Sequence, residues 1–168
     1  MLEDKVSGTK HTIVALVENR PGVLNRVASL FRRRGFNIDS LAVGGSEQLG
    51  FSRMTIVVRG SSARVEQVRK QLDKLINIVK VSDITEEDVV TRELALIKVK
   101  ASSSTRGEIM QIVDIFRANI IDVATGSVTV EVSGDEDKVN SLLDLLRGFG
   151  IKEVSRTGRI ALTRGSIS

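Results

Sequence analysis

Asn19, Gly22 and Asn37, with Arg20 and Pro21 between the first two, are the residues of this chain best equipped to hold a small polar molecule. A carboxamide both donates and accepts, so it can meet an ammonium or a carboxylate. A glycine where a loop turns into a helix lets a ligand approach the backbone, and free N–H groups at a helix start attract carboxylates. A plainer role competes at each position. Asn19 or Arg20 can cap the helix with Pro21 in its favoured first position, although a glycine in the first turn then costs up to about 1 kcal/mol against alanine. Asn37 can be a turn residue that tolerates an unusual backbone conformation. The pattern alone leaves both roles open at both places.

More aggressive chemistry has little to stand on. The chain has no cysteine, which excludes disulfides and thiolate chemistry. His11 is the single histidine, at the edge of a predicted strand with no carboxylate motif beside it, and is expected at the surface. There are no paired histidines, no metal-ligand cluster, no P-loop and no Rossmann glycine pattern, so no catalytic and no metal residues are expected. Arg32-Arg33-Arg34 fall in the last turn of a predicted helix, where cations complement the helix dipole, and are expected to be a solvated or partner-docking face. The net charge of +4 raises the question of nucleic acid, but the five aromatic residues are all Phe, with no Tyr or Trp to stack on bases. No nucleic-acid partner is expected.

The 168 residues, 41% apolar and 27% charged, describe a soluble globular protein of one or two small domains. No run approaches the roughly 18 apolar residues of a membrane span. Met1–Lys10 lacks the apolar core of a signal peptide, so no membrane partner and a cytoplasmic location are expected.

The elements that must position these residues read as two copies of one plan. Thr12–Val17 is an apolar strand, and Val23, Leu24, Val27, Leu30 and Phe31 form a helical stripe ended by Gly35. Leu41 and Val43 alternate before a Gly44-Gly45 turn, and Phe51–Val58 returns with Met54, Ile56 and Val58 on one face. Val65, Val68, Leu72, Leu75 and Ile76 mark a second helix, and Ile78–Ile84 a last strand. The second half repeats the order: strand Leu94–Val99, helix Ile109–Phe116, hairpin strands Ile120–Ala124 and Val128–Val132 around Thr125-Gly126, helix Val139–Leu146, strand Ile151–Val154. The fold class is therefore α+β, two tandem ferredoxin-like βαββαβ domains. The boundaries are residues 1–84, with an ordered core from about 11, an acidic linker 85–92, and residues 93–168. Each sheet leaves a face and edges uncovered, so a homodimer is expected. The second copy replaces Pro21-Gly22 with Ser104-Thr105-Arg106-Gly107-Glu108, where Thr105 and Glu108 are expected to form a capping box that closes the helix start.

The first half resembles an ACT domain, and the whole chain resembles the small regulatory subunits of acetolactate synthase (acetohydroxyacid synthase). The resemblance rests on ENRPGVLNRVASLFRRRGFNIDSL from Glu18 to Leu41, SRMTIVV from Ser52 to Val58 and QLDKLINIVKVSDI from Gln71 to Ile84. It continues in RELALIKVKA from Arg92 to Ala101, FRANIIDV from Phe116 to Val123 and SRTGRIALTRG from Ser155 to Gly165. It implies a non-catalytic chain that activates a large catalytic subunit and makes it sensitive to valine in branched-chain amino-acid synthesis. It implies no cofactor here, and thiamine diphosphate, Mg and FAD in the large subunit. By position, Asn19, Gly22 and Asn37 match the family's effector-site residues, at an ACT–ACT interface that Asn37 crosses, with Pro21, Leu24 and Ile38 as weaker candidates. The alternatives are a free-standing ACT-type sensor of another enzyme or transcription factor, and an RNA-recognition-like module. The latter requires aromatics on the third strand, where only Phe51 stands.

Overall fold

The computed structural model describes residues 8–165; the sequence reading of Met1–Lys10 therefore lies, up to Ser7, outside the described residues. These residues form two compact units. One comprises the chain up to Val90 together with the stretch from Arg159, and the other is Thr91–Gly158.

In the first unit the order is β1 (Thr9–Glu18), α1 (Val23–Arg33), β2 (Ile38–Gly45), β3 (Phe51–Gly60), α2 (Ser62–Leu72) and β4 (Ile78–Asp83). The antiparallel sheet runs β2-β3-β1-β4. Ile13 lies opposite Ile56 and Ala15 opposite Met54. Period-two alternation puts these on the helix side, where they join Val17, Val27, Phe31, Val65, Val68 and Leu72 in one buried core. The stripe of α1 is Val23, Val27, Leu30 and Phe31; Leu24, expected within it, is 45% exposed. The helix ends in a Schellman motif. Gly35, at φ +72°, allows the Phe36 N–H to reach the Phe31 carbonyl and the Gly35 N–H to reach that of Arg32, both at 3.0 Å. The α2 helix stops at Leu72, so Leu75 packs on the core from outside the helix and Ile76 is exposed. Gly44 and Gly45, expected at a turn, lie inside β2 opposite Arg53 and Ser52; the chain reverses over the following residues up to Gly50.

The second unit repeats the order with β5 (Val89–Lys100), α3 (Arg106–Ile115), β6 (Asn119–Val123), β7 (Ser127–Gly134), α4 (Glu136–Leu146) and β8 (Ile151–Arg156). Its sheet runs β6-β7-β5-β8, the same spatial order as the first. Ala95, Ile97, Val99, Ile109, Val130, Leu142 and Leu146 form its core. Asp135 caps α4 by accepting from the Lys138 N–H at 2.8 Å. Arg117, at φ +52°, fills the place Gly35 holds in the first copy. The α+β fold of two ferredoxin-like βαββαβ domains is thus present.

Two features lie outside the sequence expectations. The expected linker 85–92 is shorter in the structure, because Val89 to Arg92 already belong to β5. A last strand, β9 (Ile160–Thr163), pairs with β5, and residues from Arg159 onward group with the first unit. There Thr12, Thr55 and Val57 are buried although they face away from α1 and α2, and Arg159 donates to the Thr12 hydroxyl at 2.9 Å. The open face of the first sheet is therefore partly covered by the far end of the chain. No helix among the described residues is long and apolar enough to cross a membrane.

His11 is a correction of another kind. It is buried, with its Nδ1 2.9 Å from the Asp83 carboxylate, and Thr85 ties the same carboxylate to the Thr12 backbone. The carboxylate partner comes from β4, 72 positions away in the chain, which local sequence inspection does not reach.

Candidate functional site

The loop between β1 and α1 turns in four residues. The Asn19 N–H donates to the Gly50 carbonyl and the Arg20 N–H to that of Glu18, so the backbone is pinned on both sides. Gly22, not Asn19 or Arg20, is the N-cap residue, at φ +86° and ψ −11°, and Pro21 precedes the helix and does not open it. The glycine is therefore required by a left-handed backbone in addition to any ligand. No side chain caps α1, and its first turn has no acidic residue. A Cβ on Gly22 would meet nothing within 4 Å, so the space in front of the helix start is open. The first intrahelical bond runs from the Arg26 N–H to the Gly22 carbonyl at 3.0 Å. What remains is an exposed, electropositive helix N-terminus with the Asn19 carboxamide beside it.

Ion pairs frame this corner. Arg20 is held by Glu18 at 2.9 Å, and the Asn77 carboxamide bridges Glu18, at 3.1 Å, and Arg26. Asn77 was not singled out in the sequence; it comes from the α2–β4 connection and only the fold brings it here. Nearby, the Arg53 guanidinium forks onto Glu47 at 2.8 and 3.1 Å and pulls that exposed carboxyl down to about 2 from its ordinary 4.5.

The sequence candidates divide between the two ends of the sheet. Asn19, Pro21, Gly22 and Leu24 share the corner at the Glu18 end of β1. Asn37 and Ile38 lie at the other end, because Ile38 pairs with Val58 while Glu18 pairs with Phe51. Seven residues of strand separate those pairs, a span of about 23 Å at about 3.3 Å per residue. The two carboxamides of one chain cannot grip one small ligand. Asn37 does not adopt positive φ, which removes the turn-residue explanation, and it is exposed. Ile38 is half-buried against the core, whereas Leu24 is open to solvent.

At the matching place in the second unit the expected capping box is absent. Thr105 has helical φ and ψ, so its hydroxyl turns back to accept from the Ser102 N–H at 2.9 Å and gives no cap to α3. The contrast between the two helix starts lies elsewhere: α3 carries Glu108 in its first turn, and α1 carries no acid there.

The open face of β3 bears Phe51, Arg53, Thr55, Val57 and Arg59, with Thr55 and Val57 buried, so its single aromatic, at the strand's first position, has no second ring beside it to form a stacking platform for bases. Among the described residues no group of three or more His, Asp or Glu is gathered to hold a metal ion.

Comparison with known proteins places both halves. Residues 92–165 match the family model described as the small subunit of acetolactate synthase, and residues 13–80 match that of an AHAS small subunit-like ACT domain. A probable acetolactate synthase small subunit of Archaeoglobus fulgidus is 60% identical over 157 residues, covering 94% of this chain and 98% of the relative. The acetolactate synthase small subunit of Mycolicibacterium smegmatis is 52% identical, over 92% of this chain and 91% of its own. The crystal structure of the acetolactate synthase small subunit from Thermotoga maritima superposes with a TM-score of 0.86 at 42% identity, covering 95% of this chain and 99% of that one.

Proposed function

The chain belongs to the acetolactate synthase small subunits, non-catalytic partners of a large catalytic subunit, and from that premise we propose that it binds valine between two of its ACT domains. Occupancy then sets feedback inhibition of the large subunit, which the unliganded chain activates. The thiamine diphosphate, Mg and FAD chemistry belongs to that large subunit, and the assembly works in the cytoplasm.

The observation that carries the proposal is the placement of Asn37 at the wrong end of its own sheet, directly before the edge strand β2. β2 is an edge of the β2-β3-β1-β4 sheet. A two-fold axis through β2 pairs it antiparallel with the β2 of a second copy. That pairing moves the Ile38 end of one chain alongside the Gly45 end of its partner. Gly45 pairs with Ser52, and Ser52 pairs with Val17, next to the Glu18 end that carries Asn19 and Gly22. One chain thus supplies the helix start and Asn19, and its partner supplies Asn37. The exposed Val43, on β2 itself, lies at this seam and gains cover from it.

At such a corner the ligand carboxylate faces the free N–H groups of α1, and the two carboxamides hold its polar groups. A ligand shared by two chains favours the relative placement of those chains that fits it. Only such differential affinity can shift the large subunit, and linkage requires the large subunit's state to alter valine affinity in return.

The test is calorimetry of the full chain with valine. Gly22→Asp, which opposes the ligand carboxylate with its own, and Asn37→Ala each weaken binding; unaltered affinity in either overturns the site. Mixing Asn19→Ala chains with Asn37→Ala chains restores some full-affinity sites, because a mixed dimer keeps one corner intact. No recovery on mixing overturns the shared corner.

A further inference from the structure

On the side of the first sheet turned away from α1 and α2 lies a cavity of about 390 Å³, within the size range of small-ligand pockets. Every lining residue belongs to the first unit. The apolar part of the wall is made by Val14 and Leu16 of β1, Ile84 after β4, and Ala161 and Leu162 of β9. Arg53, Lys80, Glu87 and Arg164 supply the charges, and Ser82 a hydroxyl.

Two of those charges are already engaged. Arg53 forks onto Glu47, and Arg164 lies 3.1 Å from the Asp88 carboxylate. Lys80 and Glu87 make no side-chain ion pair or hydrogen bond among the described residues, and the Ser82 hydroxyl is equally free. The cavity therefore combines an aliphatic wall with one available ammonium, one available carboxylate and one hydroxyl. A simple anion leaves Glu87 opposed, and a simple cation leaves Lys80 opposed. A zwitterion with an aliphatic side chain satisfies both: its carboxylate meets Lys80 and Ser82, its ammonium meets Glu87, and its side chain covers Val14, Leu16 and Leu162.

We infer that this cavity is a second binding site, for a small aliphatic amino acid, on the opposite face of the sheet from the Asn19–Gly22 corner. It does not rest on the valine corner and has a separate function in the chain. Because its wall combines β1 and β4 with β9, a bound ligand joins the end of the chain to the first sheet and strengthens that cover.

The experiment uses the full chain carrying Asn37→Ala, so that the shared corner is silenced, and titrates it with leucine by calorimetry. Binding is expected, and Lys80→Met and Glu87→Gln are each expected to weaken it by about tenfold or more, the scale of one charge-assisted contact. Leu162→Trp fills the cavity without altering charge and is expected to abolish binding, with a thermal melt confirming that each variant is folded. Two probes complete the set: 4-methylpentanoate, which lacks the ammonium, and 3-methylbutylamine, which lacks the carboxylate, both binding about tenfold or more weakly than leucine. No leucine binding, binding indifferent to all three substitutions, or equal binding of 4-methylpentanoate overturns the assignment. Failure of the shared corner shows separately, as wild-type valine binding that Asn37→Ala leaves unaltered.

Discussion

Two glycines at equivalent helix starts should respond to alanine with opposite signs. Gly22 precedes α1 with φ +86°, and Gly107 lies in the first turn of α3 without positive φ. A Cβ at either meets nothing within 4 Å, so sterics beyond the residue itself contribute nothing at either place. Gly22→Ala must hold an L-residue in the left-handed region, at about 1–2 kcal/mol, partly offset by the smaller entropy of the unfolded alanine chain. A net loss of about 1 kcal/mol follows, a fall of about 2–8 °C in Tm for units and chains of this size. Gly107→Ala places the best helix former where glycine is penalised, a gain of about 0.5–1 kcal/mol. Thermal and urea unfolding of the two variants beside the wild type, followed by circular dichroism, measures both. Gly22→Asn supplies the control, since asparagine tolerates the left-handed region and should lose less than alanine. The same sign for both alanine variants would refute the backbone explanation of Gly22.

A stop after Gly158 removes β9 and the Arg159 bond to Thr12, uncovering Thr12, Thr55 and Val57; the truncated chain should melt lower and bind more of a hydrophobic dye. Unchanged dye binding and Tm would mean that the end of the chain does not cover the sheet. The Glu47 carboxyl should titrate by NMR near 2, returning towards its ordinary 4.5 in Arg53→Met. Because the folded value is the depressed one, whatever stability the pair contributes is present above 4.5 and is lost as pH falls towards 2. A wild-type midpoint near 4.5 contradicts the fork.

The order of elements was legible because alternation and helical spacing are local properties. Ile13, Ala15 and Val17 against Met54, Ile56 and Val58 declare a one-sided sheet before any contact is known. What was missed depended on contacts between distant segments. His11 reads as a surface histidine until β4 delivers Asp83, and the cover over Thr12 comes from residues almost 150 positions downstream. Helix ends misled for a different reason. Pro21 and Thr105 have the right types for a first helical position and a cap, but whether a hydroxyl reaches the third N–H depends on the φ and ψ of its own residue. Thr105 adopts helical angles because the Ser102–Thr105 turn begins the coil early. Leu24 fits the apolar stripe by spacing, yet in the first turn of α1 it is Val23 that turns into the core and Leu24 that faces solvent.

The first turns of α1 and α3 bear on how the two copies of one plan differ. Both helix starts lack a side-chain cap; the Val23 and Arg106 N–H groups reach the backbone carbonyls of Arg20 and Ser102, and no side chain closes either start. The difference is electrostatic and conformational. Glu108 already places a negative charge in the first turn of α3, where it complements the dipole and repels an incoming carboxylate. The first turn of α1 has no acid, and its cap residue is a glycine in a conformation that leaves the approach clear. An anionic group therefore gains more at the first corner than at the second. In the site proposed here the Asn37 carboxamide is out of reach within one chain, so under that proposal the first copy completes the site only when β2 is paired with its counterpart.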